Sequence, residues 1–179
     1  MVRASVLASL LSTAALTALA AALLLTAAPI APAAPARSAS LPKCATSGLV
    51  IWLNSEDSGT AGSFYYHLEF ANLSGRTCTL GGYPGVSAVS LAGRQIGSSA
   101  GREVTQRPRT VTLAPEAQTT ALIRVVDVGA LPASCHPVTA AGFRVYPPGQ
   151  TTSKVVPFPF RTCSAAGQSA ISVRAVRTE

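Results

Sequence analysis

The sequence is poor in the residues from which enzyme sites are commonly assembled. Its 179 residues hold two histidines, one tryptophan and one methionine, and Asp and Glu together number seven. There is no His-x-His or His-Glu-x-x-His, which removes the usual ligand spacing of a zinc enzyme. None of the four cysteines forms a Cys-x-x-Cys pair, so the common redox site and the zinc knuckle lack their signature. Ser40-Leu-Pro-Lys43 has the Ser-x-x-Lys spacing of penicillin-recognising enzymes, but the Ser-Asp-Asn and Lys-Thr-Gly companions are missing. No capped amphipathic helix and no second hydrophobic anchor follow the N-terminal region. These absences point away from metal, redox and cofactor chemistry; no cofactor is expected.

The N-terminus is the most hydrophobic part. Arg3 precedes an almost uncharged Ala/Leu run from Ala4 to Leu25, and the Ala-x-Ala sites Ala31-Pro-Ala33 and Ala34-Pro-Ala36 follow. Charge, apolar run and small-residue exit define a secretory signal peptide. Cleavage is expected after Ala36, with Ala33 as the next choice. An uncleaved membrane anchor is the first alternative, because the run approaches the ~20 residues that span a bilayer. A lipoprotein is the second, from Leu41-Pro-Lys-Cys44, although Lys43 stands where a small residue is wanted. The predicted organisation is a leader over 1–36, a tether over 37–43 and one domain over 44–179, with no transmembrane segment in the mature chain. That length suits a single core.

Cys44, Cys78, Cys135 and Cys163 all lie beyond the leader. An even set of widely spaced cysteines in an exported chain reads as two disulfides. Of three connectivities, Cys44–Cys78 with Cys135–Cys163 is expected, because each pair then staples neighbouring strands within one half of the chain.

The remainder alternates between short apolar segments and turn-forming residues. In Ser63–Ala71, Phe64, Tyr66, Leu68 and Phe70 alternate with Tyr65, His67, Glu69 and Ala71, the period of a half-buried strand. Further strands are predicted over Leu49–Leu53, Val86–Leu91, Thr110–Leu113, Thr119–Val128, Gly142–Tyr146, Val155–Phe160 and Ala170–Val176. Thr119–Val128 is apolar on both faces around Arg124 and reads as a central strand. Pro157 and Pro159 place Val155–Phe160 at a sheet edge. Cys78 is expected to close the apolar strand before it, directly ahead of a turn through Gly81, Gly82, Pro84 and Gly85. Many short strands with regular turns predict an all-β fold, an immunoglobulin-like antiparallel β-sandwich with two disulfides. Strand count alone is shared with related topologies.

Gly62–Val86, with Cys-x-Leu-x-Gly-Tyr-Pro as its most specific part, then Val111-Thr-Leu-Ala-Pro115 and the late Cys135 and Cys163, resemble DUF4232, an actinobacterial family of secreted or lipid-anchored domains. The resemblance spans Cys44 to Val176 and implies an exported, disulfide-bonded β-sandwich. It supplies no catalytic residues. One departure is Glu116, which follows Leu-Ala-Pro where the family pattern leads one to expect glycine.

Lys and Arg number 14 against seven acids, a formal charge of +7. The densest group, Arg102, Arg107 and Arg109, suits an anionic cell-wall polymer or an acidic extracellular partner. It equally suits a solvated loop and strand edge, where charge prevents strand association. Nucleic acid is not an expected partner, since export removes the chain from it and no binding motif appears. Trp52, Tyr65 and Tyr146 would form an aromatic carbohydrate platform if they faced outward together. His67 and Glu69 share a strand face as an acid–base pair would; the structural alternative is an exposed pair on a solvated sheet. Asn72-Leu-Ser74 fits the glycosylation sequon.

The leading functional expectation is a non-enzymatic, exported interaction module of the envelope or extracellular space. A secreted hydrolase using a serine with His67 and Glu69 or Asp127 is the alternative. A protease inhibitor presenting a loop between Pro132 and Pro137 is the third.

Overall fold

The computed structural model describes residues 40–178 apart from 56–58, 61, 106 and 168; the expected leader lies outside the described residues. The chain runs through β1 (Leu49–Asn54), β2 (Ser63–Asn72), β3 (Cys78–Gly81), β4 (Gly85–Val89), β5 (Gln95–Ile96) and β6 (Gly101–Arg102). It continues through β7 (Thr110–Leu113), β8 (Gln118–Val126), β9 (Pro137–Tyr146), β10 (Lys154–Cys163) and β11 (Ile171–Val173). Three single-turn 3-10 segments are interspersed, at Thr46–Gly48, Val128–Ala130 and Ala133–Cys135. No helix among the described residues is long and apolar enough to cross a membrane.

The fold is all-β. Five strands form a sheet in the order β1-β2-β8-β11-β6, and four form another in the order β10-β9-β4-β5. A separate ribbon pairs β3 with β7. Pairing is antiparallel throughout except between β11 and β6. One hydrophobic core draws Leu68, Phe70 and Ile123 from the first sheet, Phe143 and Val145 from the second, and Leu80 and Leu113 from the ribbon. Phe143 of β9 stacks on Phe160 of the neighbouring β10 with ring centroids 4.2 Å apart, and Phe158 of β10 meets Tyr66 of β2 edge-on at 4.9 Å, a contact that reaches from one sheet to the other. As its composition predicts, β8 is central, flanked by β2 and β11, while β10 lies at an edge.

Cys44 bonds Cys78 and Cys135 bonds Cys163, each with Cα atoms 4.9 Å apart. The first tie holds the start of the domain to β3; Lys43 bridges Thr79 and Thr79 N donates to the Pro42 carbonyl. The end of the expected tether is therefore part of the fold. Cys135 and Cys163 are buried in a smaller cluster with Val128 and Ala170.

Several sequence expectations are corrected. Cys78 does not close the strand before it: β2 ends at Asn72 and Cys78 opens β3. Buried Asn72 breaks the run there. Its Nδ2 donates to the carbonyls of Arg76, Leu113 and Ala114, and its Oδ1 accepts from the Ser74 amide and hydroxyl. Phe64 is 41% exposed despite its place in the apolar alternation, because it lies at the strand's start beside an open groove. The last strand is only Ile171–Val173, although Arg177 pairs again with Thr120 after an irregular step. Pro157 and Pro159 sit within a register shift in β10, where Gly142 faces the irregular backbone. A Cβ on Gly142 would stand 2.3 Å from the Val156 carbonyl oxygen, so only glycine admits the two backbones at that distance.

Candidate functional site

The Gly82-Tyr83 step in the turn after β3 supports two segments at once. Gly82 adopts φ 103°, a conformation open to glycine because it has no Cβ, and its carbonyl accepts from Val176 N at 3.0 Å. Tyr83 Oη donates to the Glu103 carbonyl at 3.5 Å, and the Arg102 guanidinium lies 5.5 Å from the centre of the Tyr83 ring, within cation–π range. One wall, after β6, is thus tied to the other, the C-terminal segment after β11.

Between them opens a cleft of about 450 Å³. Arg107, Arg109, Arg174 and Arg177 line it with Thr105, Thr110 and Thr178, and among the described residues Glu103 is its lone carboxylate. Glu103 is fully engaged: Oε1 accepts from the Ser172 hydroxyl at 2.5 Å and Oε2 from Arg174 Nε at 2.9 Å. The Ser172 hydroxyl, with the Arg174 guanidinium and the field of Arg124, holds this carboxyl below the usual carboxylate range against the opposing effect of burial. Glu103–Arg174 is the sole ion pair among the described residues. Arg107, Arg109 and Arg177 have no side-chain partner among them, so three guanidiniums remain available to a ligand.

The structure divides the arginines singled out in the sequence. Arg107 and Arg109 share the cleft, whereas Arg102 is stacked on Tyr83 and does not line it. Arg174 and Arg177 complete the cleft from some 70 residues further along the chain. No local pattern marked them, since only the pairing of β11 with β6 and β8 brings them there.

The aromatic candidates do not form one platform. Trp52 and Tyr65 lie on β1 and β2 in the five-stranded sheet, while Tyr146 ends β9 in the other and packs over Gly85. Trp52 is 36% exposed and stands opposite Glu69. Glu69 is not the exposed residue of a solvated pair; it is 6% exposed, in register between Trp52 and Thr120.

Hydrolytic geometry is not assembled around His67. Its Nδ1 lies 3.3 Å from Thr120 Oγ1, but Thr120 is fully buried and inaccessible to a substrate carbonyl. Asp127 is spent on capping a 3-10 turn, accepting from Gly129 N at 2.9 Å. Gly97-Ser-Ser99-Ala-Gly101 has the Gly-x-Ser-x-Gly spacing of a nucleophile elbow, which needs a strand-to-helix turn. Here it joins the short strands β5 and β6, Ser98 Oγ accepts from Gly167 N, and no histidine bonds either serine. The Pro132–Pro137 loop folds as a 3-10 turn with Cys135 buried in its disulfide, not as the extended segment that a protease groove takes. Among the described residues no three His, Cys, Asp or Glu side chains gather as a metal site.

These features define an all-β, disulfide-bonded domain with a cationic cleft and no assembled catalytic group among the described residues. The chain belongs to the family described as Domain of unknown function (DUF4232), whose model matches residues 44–177. No curated protein matches it.

Proposed function

We propose that this chain is an exported, non-enzymatic binding module of the cell envelope or extracellular space, with the arginine cleft as its ligand site. The observation that carries this reading is the convergence of Arg107, Arg109, Arg174 and Arg177 on one cleft whose single carboxylate among the described residues is already engaged. Unpaired guanidiniums gathered in a concave site repel one another and attract anions. Two disulfides suit an oxidising compartment, and the leader-like N-terminus supports export. The orders β1-β2-β8 and β10-β9-β4-β5 support an immunoglobulin-like arrangement, with β11 beside β8 as an added feature.

The test is retention on purified anionic wall polymers and on secreted proteins at physiological salt. The full-length chain is expected to be retained on an anionic component, and an Arg107→Ala/Arg109→Ala/Arg177→Ala variant to be released. Equal retention of the two proteins would sink the cleft as the ligand site.

A further inference from the structure

We infer that the ligand of the cleft is a phosphate ester, held by Arg107, Arg109 and Arg177 while Glu103 keeps Arg174 fixed in the wall. This rests on the anion-binding reading above and names the anion. The free donors of the cleft come from two separate walls, the segment preceding β7 and the C-terminal segment. They are guanidinium forks and threonine hydroxyls, and the only carboxylate among the described lining residues has both oxygens occupied by Ser172 and Arg174.

Donors arriving from opposite walls match a tetrahedral oxyanion, whose non-bridging oxygens point in different directions. A carboxylate offers two coplanar oxygens and one charge, and a single arginine can satisfy it bidentately. A phosphomonoester carries about −1.5 to −2 charge and three strong acceptors, one for each unpaired arginine. At about 450 Å³ the cleft also has room for the alcohol that the phosphate esterifies. A terminal phosphomonoester and a phosphodiester within a chain share this chemistry, and the probes below separate them.

The full-length chain, with its disulfides intact, is titrated calorimetrically with glycerol 3-phosphate, a glycerol phosphate oligomer and poly-glutamate of equal charge. Phosphate probes are expected to bind at least roughly tenfold tighter than poly-glutamate. A preference for glycerol 3-phosphate identifies a terminal group, and a preference for the oligomer an in-chain diester. Arg107→Ala, Arg109→Ala and Arg177→Ala should each weaken binding roughly tenfold. For the oligomer, each should reduce the salt slope by about 0.7. Arg161→Ala, exposed on β10 and outside the cleft, should leave both unchanged. Lysine variants retain charge and lose the fork; they should bind with intermediate affinity and serve where an alanine variant has an altered unfolding midpoint. Equal binding of poly-glutamate and the phosphate oligomer overturns the phosphate assignment and leaves the anion-binding reading in place. Failure of every anionic probe overturns both, and an equal loss in Arg161→Ala overturns the cleft as the site.

Discussion

The side-chain amide of Asn72 donates to the Leu113 carbonyl at 3.0 Å and ties the end of β2 to the end of β7, a strand of a different sheet. Asn72 has no solvent exposure, and its side chain bonds both the turn that follows, at Ser74 and Arg76, and the end of β7, at Leu113 and Ala114. Asn72→Ala should therefore lower stability by about 3 kcal/mol, since it removes the Nδ2 donor shared by the Leu113, Ala114 and Arg76 carbonyls and the Oδ1 acceptor of Ser74 in a buried setting. Urea denaturation measures this, and a loss below about 1 kcal/mol would contradict the role. The same burial makes a glycan on Nδ2 incompatible with the fold, so intact mass should show Asn72 unmodified even where a host recognises Asn72-Leu-Ser74.

Glu116 occupies the third position of the Ala114–Ala117 turn with φ 68°, after Pro115. Ala117 N donates to the Ala114 carbonyl, which closes a type II turn. That position favours glycine because a Cβ crowds the backbone there. Glu116→Gly is expected to raise stability by roughly 0.5–1 kcal/mol, the relieved strain less the added freedom of the unfolded chain. An unchanged or lowered thermal midpoint would count against it.

Gly142→Ala has the opposite sign. Its added carbon would stand 2.3 Å from the Val156 carbonyl oxygen and 3.0 Å from Pro157 Cα, both backbone atoms. The variant should lose about 1–3 kcal/mol as β9 and β10 separate locally. Amide exchange should quicken at Val156 more than in the β2–β8 pairing.

Glu103 makes stability depend on pH. Its folded carboxyl lies below the ordinary range, so its contribution is complete above the unfolded pKa of about 4.3 and is lost as pH falls through the folded value. Wild type and Glu103→Gln should therefore differ in urea midpoint at pH 7 and converge as pH falls through the folded value. A constant difference over that range would exclude Glu103 as the titrating group.

The disulfides close loops of 34 and 28 residues in sequence separation. Loop entropy predicts that removing either pair costs roughly 3–4 kcal/mol. Separate Cys44→Ser/Cys78→Ser and Cys135→Ser/Cys163→Ser variants should show losses of similar size in denaturant titration.

Much of the fold was legible because strand periodicity is local. The alternation from Phe64 to Phe70, the two-faced apolarity of β8 and the prolines of β10 each carry their positions in neighbouring residues. Boundaries were less legible where a polar side chain decides them. Asn72 reads as an ordinary strand end or a sequon, and nothing nearby indicates that carbonyls 41 and 42 residues away complete its hydrogen bonds. Glu69 likewise reads as solvent-facing by parity, yet the neighbours that cover it lie on other strands.

The sequence by itself determined the all-β class and the family, since alternation, turn residues and the Cys-x-Leu-x-Gly-Tyr-Pro run are all local records. It also contained half the cleft, in Arg107 and Arg109. Only the tertiary structure separated Arg102 from them and added Arg174 and Arg177. The reason is that charge acts through space rather than along the chain. Backbone hydrogen bonds from Gly82 and β8 to the C-terminal segment determine which arginines share one field.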